Sequence, residues 1–426
     1  MSHKANVKKV KGAETAVLVP RLRFPEFRGA GEWELKDLEK ICDINPPNTG
    51  LPDTFDYIDL ESVEAGELKT KKKISRDNAP SRAQRVLQNG DVIYQSVRPY
   101  QKNNWFCVFN DDDNYVASTG YAQLRAYDSK EFLYQIVHCD DFVGRVIAQC
   151  TGSNYPAINS SDLAKIHVAI PRHKEQQKIA DCLSSLDEAI TLEAKRLEAL
   201  KVHKQGLMQQ LFPAEEETVP RLRFPEFRGA GEWSYQNLGN VAQFFKGRGI
   251  SKSDIDARGE IPCIRYGELY TTYGEVIDAV VSKTTLPLAS LFLSHKYDVL
   301  IPSSGETRID IARAACVLIS GVGLGGDLNV LRSKENGVFL SYFLNGAYKK
   351  TIAKRAQGDT IVHLYPSHIT SLLIPIPDGR EQQKIADCLS SLDEVITLES
   401  QELEALKVHK KGLMQQLFPR PDEIGT

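Results

Sequence analysis

Residues Val19 to Trp33, VPRLRFPEFRGAGEW, recur letter for letter at Val219 to Trp233, and this repeat constrains the fold more than anything else in the chain. A second block, Glu175 to Pro213, returns at Glu381 to Pro419 with 34 of 39 positions identical. The chain is therefore a tandem duplication, with a period far longer than the roughly 20–50 residues of a solenoid unit. Between the copied blocks lie two segments, 34–150 and 234–356, that hold the same place in each half and share little sequence. The plan is two unlike domains, each followed by the same connector.

The connector carries a heptad stripe. Leu183, Leu186, Ile190, Leu197, Leu200, Leu207 and Leu211 alternate at three- and four-residue spacing, with Glu193 and Lys204 in the two missing seam positions. Its twin has Leu389, Leu392, Ile396, Leu403, Leu406, Leu413 and Leu417, interrupted by Glu399 and Lys410. At 1.5 Å per residue each helix is roughly 55 Å long. Two such helices related by a two-fold axis pair as an antiparallel coiled coil; the competing arrangement packs each stripe on its own domain. Gly206 and Gly412 are expected to weaken the last turns.

Short apolar runs broken by Asn, Asp, Gly and Pro read as strands in both segments: Asp91 to Ser96, Trp105 to Phe109 and Tyr115 to Ala117, then Val299 to Pro302, Ala315 to Ser320 and Leu328 to Arg332. Helices are expected at Phe132 to Gln149 and Val338 to Arg355. The fold class is α+β: two mixed domains separated by two long α-helices in an antiparallel coiled coil, with a pseudo-two-fold internal repeat. The boundaries are a flexible tail at 1–18, a first domain at 19–171, a first long helix at 172–213, a second domain at 214–377, a second long helix at 378–419 and a tail at 420–426.

The balance of 53 Lys and Arg against 56 Asp and Glu gives a net charge of -3, so any grip on nucleic acid must come from local charge. Residues 69 to 102 supply it, with nine Lys or Arg against Asp77 and Asp91. Lys71, Lys72, Arg76 and Lys102 suit phosphates, while Arg98, Tyr100, Asn103 and Asn104 include side chains that can read purine edges in the major groove, and Ser96 is a further DNA-binding candidate. The bland reading is a solvated lysine hairpin. In the second domain the candidates are Lys246, Arg248, Arg265, Tyr266, Ser303, Ser304 and Arg308, with simple surface solvation as the alternative for each.

Catalytic patterns are weak. Asn45-Pro46-Pro47-Asn48 lacks the aromatic fourth residue with which amino-methyltransferases stack a flipped base. Gly321-x-Gly323-x-x-Gly326 is followed by strand-like sequence rather than a helix. Pro52, Asp53, Glu67 and Lys69 trace a loose nuclease pattern of the kind that arises by chance. The eight cysteines form no metal-ligand spacing and the histidines none, so no catalytic or metal site is expected. The thiols point to a reducing cytoplasm, and no stretch has the length of a membrane span.

Several of these features resemble the specificity subunit of type I restriction–modification enzymes. They are the paired RLRFPEFRGAGEW openings, the Gly90-Asp91-Val92-Ile93-Tyr94 and Tyr297-Asp298-Val299-Leu300-Ile301-Pro302 strands, Ser96-Val97-Arg98-Pro99-Tyr100, and the Ile170-Pro171 and Ile376-Pro377 exits into Glu-Gln-Gln-Lys-Ile-Ala helices. The likeness covers nearly the whole chain. It implies that each variable domain is a target recognition domain reading one half of a split, asymmetric site in double-stranded DNA. The helices would act as a ruler for the spacer and as docking sites for two methylation subunits, with restriction subunits joining the full complex. It also implies that the chain is not an enzyme and binds no cofactor, S-adenosylmethionine, ATP and Mg being used by the partners. A methyltransferase and a coiled-coil scaffold without a DNA role are the competing readings.

Overall fold

A computed structural model describes residues 18–110, 112–358 and 361–419, so nearly all of both expected tails lies outside the described residues. Leu18, assigned to the first tail, is an exception: it is buried, and its carbonyl accepts the Trp33 N–H at 2.8 Å. The chain divides into two compact units, residues 1–192 with 402–426, and residues 193–401. Each unit holds one domain, part of one long helix and part of the other.

In the first unit an antiparallel sheet orders Cys42–Ile44, Tyr121–Ala126, Val92–Gln95 and Trp105–Phe106. Val92 to Gln95 is buried throughout, which explains its unbroken apolar and aromatic sequence. A second, mixed sheet orders Lys72–Ser75, Thr54–Ile58, Tyr115–Ser118 and Ala83–Val86. Glu34–Asp37 pairs with His167–Ile170, bringing the entry strand beside the exit strand that leads into the first long helix.

The second unit repeats this plan with a different sequence. Its larger sheet orders Ala242–Lys246, Leu328–Ser333, Asp298–Pro302, Ala315–Val317 and Val276–Ile277. The smaller orders Ser282–Thr284, Ile261–Ile264, Gly323–Leu324 and Phe292–Leu293. Ser234–Asn237 with Leu373–Ile376 closes the domain.

Each expected domain helix is two. Lys130–Ile136 stops before Asp140–Gln149, where two aspartates in the first turn suit a new helix start. Gly337–Gly346 likewise precedes Lys349–Arg355.

The long helices span His173–Leu211 and Gly379–Leu417, and both run unbroken through Gly206 and Gly412. Packing of the end residues outweighs the glycine penalty of about 1 kcal/mol. In the second unit Phe212 lies edge-on to Phe339 and Phe343 at 5.7 and 5.5 Å; in the first, Phe418 meets Trp33 at 6.1 Å and Phe132 at 5.6 Å.

No seam residue is exposed. The stripe nevertheless has two jobs, where a uniform coiled coil was the expectation. Leu183, Leu413 and Leu417 join the domain core of the first unit, and Leu389, Leu207 and Leu211 that of the second. Between them, charged side chains join one long helix to the other within each unit. Within the second unit Arg196 pairs with Glu399 and Lys204 with Asp393, partner numbers falling as helix numbers rise, which is antiparallel pairing. Within the first unit the corresponding pair is Lys410 with Asp187. Lys204, Glu399 and Lys410, three of the charged interruptions of the stripe, are thus ion-pair positions.

Candidate nucleic-acid interface

In the first domain the buried strand Val92–Gln95 runs out into a turn carrying Ser96, Arg98 and Tyr100. The Ser96 N–H and hydroxyl both donate to the Gly120 carbonyl, at 3.0 and 2.7 Å. That fixes the turn against residues 118–120, whose Thr119 N–H donates to the Arg82 carbonyl at 2.8 Å. On its other side the Arg98 N–H donates to the Pro156 carbonyl at 2.7 Å, and the Arg98 guanidinium lies over the Tyr155 ring, 4.3 Å from its centroid. Arg98 and Lys102 both adopt the left-handed region, at φ 55° and 54°. Such strain in non-glycine residues persists only where the surroundings impose it, and it concentrates at functional sites.

The basic run of residues 69–102 separates into two groups. Lys71 donates to Asp56 at 2.8 Å and to the Tyr115 hydroxyl at 2.9 Å, partners that raise its ammonium above the ordinary lysine value. Lys72 sits 3.6 Å from Asp59, Arg76 2.9 Å from Asp53 and Lys102 2.6 Å from Asp140, and Lys69 pairs with Glu67. Among the described residues Lys73, Arg82, Arg85 and Arg98 have no carboxylate partner. Three of those four, Arg82, Arg85 and Arg98, stand beside the 117–120 turn, with Arg85 opposite Ala117 in the sheet. Burial lowers the Arg85 guanidinium below its usual range.

One expected base reader needs correction, and its neighbour is partly engaged. Asn104 is buried, its carboxamide oxygen accepting the Gln95 N–H at 2.8 Å and its amide facing His138 Nε2 at 3.3 Å. Asn103 spends its oxygen on the Ala65 N–H at 3.2 Å. Asn104 thus holds the turn in place rather than present an edge to a ligand; Asn103, half-buried, braces the turn through its oxygen.

The second domain gathers its candidates around the equivalent turn, Gly325 to Asp327. Gly325 N–H donates to the Ile264 carbonyl at 2.9 Å, Gly326 N–H to Gly249 at 2.8 Å, and the Asp327 carbonyl accepts the Ser303 N–H at 2.8 Å. Arg265 follows Ile264, Arg248 precedes Gly249, and Ser304 follows Ser303, so three separate chain segments meet here. They meet so closely that a Cβ on Gly247 would lie 2.0 Å from the Gly325 carbonyl oxygen. Ile250, a β-branched residue, is held at φ 61°.

Lys246, Arg248 and Arg308 are exposed. Arg265 is half-buried, with its guanidinium 4.0 Å from Glu268. Tyr266 rests against Tyr270 at 6.3 Å, and Ser304 pairs with His363 across a short ladder. Ser303 corresponds to Ser96 but is buried, its hydroxyl without a hydrogen-bond partner, so it shapes the turn and offers no contact outside it.

The match between the domains extends below the turn. Arg125 forks onto the buried Asp91 at 2.8 Å, and Arg332 onto the buried Asp298 at 2.8–2.9 Å, bracing the same pair of strands. The Ser96 carbonyl accepts from Ile158 and the Ser303 carbonyl from Leu364, each at 3.0 Å.

None of the catalytic patterns assembles. Asn45 accepts the Gln123 N–H and donates to Ser160, strapping the domain together. Asp53 and Glu67 are each taken up by a neighbouring cation. The glycine pattern at 321–326 contains the short strand Gly323–Leu324 and leads into the strand Leu328–Ser333, and the next helix begins only at Gly337. No helix among the described residues is long and apolar enough to cross a membrane.

A family model described as the type I restriction modification DNA specificity domain matches residues 30–202 and again 230–408. The chain belongs to this family. Both specificity domains thus include one candidate turn and most of one long helix. Among curated relatives, the putative type I restriction enzyme MjaX specificity subunit of Methanocaldococcus jannaschii is 24% identical over 416 residues, 93% of this chain and 95% of that protein. The HindI specificity subunit of Haemophilus influenzae is 28% identical over 183 residues, 42% of this chain and 38% of its own. The fold is shared with the S subunit of a type I restriction–modification system from M. genitalium, at a TM-score of 0.58 and 16% identity over 94% of this chain and 99% of that one. It is shared too with a chain from a structure on complex assembly of the type I system, at 0.54 and 21% over 91% and 97%.

Arg82, Arg85 and Tyr155 stand beside the candidate turn, and residue type alone does not single them out. Arg82 and Arg85 are marked in sequence only as members of the basic run. Tyr155 carries no signal beyond its place in a Gly/Asn/Pro-rich loop.

Proposed function

We propose that this chain is the DNA-reading, non-catalytic subunit of a type I restriction–modification enzyme, with recognition domains at 19–171 and 214–377 each taking one half of a bipartite, asymmetric site. One observation supports it above the rest: in two domains of unlike sequence, cations without a close carboxylate partner surround the same hydrogen-bonded turn. In the first domain these are Arg82, Arg85 and Arg98; in the second, Lys246 and Arg248, with Arg265 beside them. A cation not already neutralised is available to a phosphate or to a guanine edge. Lys71, Lys72, Arg76 and Lys102 would first have to give up their aspartates, so their part is smaller.

The paired helices then set the spacer and dock two methylation subunits, restriction subunits completing the assembly in the cytoplasm. S-adenosylmethionine, ATP and Mg belong to those partners. The test is binding by the chain assembled with its methylation subunits. A duplex carrying the sequence methylated in the host genome should bind at least about a thousandfold tighter than a scrambled duplex. Arg98→Ala combined with Arg248→Ala should lower that ratio by about tenfold or more. Equal affinity for every sequence would rule the reading out.

A further inference from the structure

Beside each candidate turn lies a second loop, and the described residues of the two loops are closed alike. In the first domain residues 151–157 are closed by a pair of hydrogen bonds, Thr151 N–H to the Ala157 carbonyl at 2.9 Å and Ala157 N–H to the Thr151 carbonyl at 3.0 Å. In the second, Gln357 and His363 close residues 357–363 in the same way, at 2.9 and 2.7 Å. The second position is glycine in both, Gly152 at φ 92° and Gly358 at φ 109°, a region costly for any other residue. A Cβ there would also press on a carbonyl oxygen three residues on, 3.1 Å away in one loop and 2.2 Å in the other. Otherwise the two seven-residue sequences have no position in common.

The fifth position of each loop is a large apolar residue facing solvent: Tyr155 is 66% exposed and Ile361 59% exposed. Single exposed apolar residues are ordinary. Two at the matched position of loops closed by the same pair of hydrogen bonds, each beside the turn that gathers its domain's cations, are not explained by chance placement. Tyr155 is already stacked under Arg98, and Ile361 lies next to Val362, which pairs with Gly305 in the turn of Ser303 and Ser304.

We infer that Tyr155 and Ile361 are specificity-determining residues that enter a groove of duplex DNA and make the apolar base contact of their own half-site. Thymine methyl groups are the natural partner for such side chains. Arg98 supplies the neighbouring phosphate or guanine contact while its stacking orients the Tyr155 ring. The inference rests on the DNA-reading function proposed above and adds the residues through which each half is read.

The experiment uses the full chain assembled with its methylation subunits. The probes are a duplex bearing the mapped methylated sequence, duplexes with one half-site scrambled, and duplexes with thymines of one half replaced by uracil. Tyr155→Ala should weaken the mapped duplex by about tenfold or more and abolish discrimination in one half-site only. Ile361→Ala should do the same in the other half, and affinity for the fully scrambled duplex should stay within twofold. Tyr155→Phe should restore most of the loss, which a collapsed loop would not allow. Uracil replacement should reproduce the Ile361→Ala loss in the half that this variant affects.

Unchanged discrimination in both alanine variants, with the unmodified complex still selective, would overturn this inference and leave the DNA-reading function standing. So would loss of methylation-subunit assembly with binding by the remaining complex intact, since the loops would then be partner surfaces. An unmodified complex without sequence preference would instead sink the function on which the inference rests.

Discussion

At the scale of single residues, His138 shows how the reading turn is braced from behind. Its Nδ1 is 2.7 Å from the Tyr134 carbonyl and so carries the proton, leaving Nε2 to accept from Asn104, which in turn receives the Gln95 N–H. Burial pushes the imidazole down to about 4, helped by Lys410 and Lys102 nearby, against an ordinary value of 6.5. The folded protein therefore holds this ring neutral where the unfolded chain would protonate it. Its contribution is intact above about pH 6.5, declines as the pH falls through that value and is gone by about pH 4, a loss of at most about 3 kcal/mol. His138→Gln should remove that slope. Urea denaturation at pH 7.5 and 5 should show the unmodified protein losing more stability than the variant across that interval; equal losses would mean that His138 does not carry the effect. None of this chain of contacts is marked in the sequence, because His138 and Asn104 lie far apart along it and neither belongs to a motif.

At the scale of elements, the charged breaks in the leucine stripe settle how the long helices are held. Lys204 bridges Asp393 on the other helix at 2.6 Å and Glu275 of the domain at 2.7 Å, and it lies over the Tyr342 ring. Burial alone would raise the Glu275 carboxyl, yet Lys204 beside it brings it below the usual range. Lys410 has one carboxylate, Asp187, at 2.5 Å. Tyr342 donates to Asp393 as Gln135 does to Asp187, so the two sites share a plan and differ in how many acids depend on the lysine. Lys204→Met should deprive two carboxylates of their lysine, one of them the mostly buried Glu275, and cost about 3 kcal/mol, whereas Lys410→Met should cost about 1 kcal/mol, since it deprives only the more exposed Asp187. Hydrogen exchange followed separately in residues 193–401 and in the remainder of the chain would measure both. A cost for Lys410→Met equal to or above that for Lys204→Met would contradict this account. The heptad spacing is readable in the letters; the role of Glu399 and Lys204 is not, since a seam gap looks the same whether it faces water or an opposing charge.

At the scale of the molecule, duplication was legible where the copy is recent and illegible where only the backbone preserves it. Val19 to Trp33 announces itself, but the equivalence of Ser96 with Ser303 appears only in which carbonyls their N–H groups meet, and backbone bonds leave little trace in residue identity. Charge behaves alike: nine cations in residues 69–102 look like one basic face, yet five are neutralised by acids outside or at the edge of that stretch, such as Asp56 and Asp140. At the two candidate turns of a chain with net charge -3, the described cations without a close carboxylate are few: Arg82, Arg85, Arg98, Lys246 and Arg248. Each phosphate contact contributes about 0.9 to the fall of log affinity with log salt, so the full chain should show a slope no steeper than about -5 on duplex DNA. Titrations between 50 and 200 mM salt, as orders of magnitude chosen to span this regime, would measure it. A slope near -10 would mean that the paired lysines leave their aspartates on binding, and that the basic run acts as a single face after all.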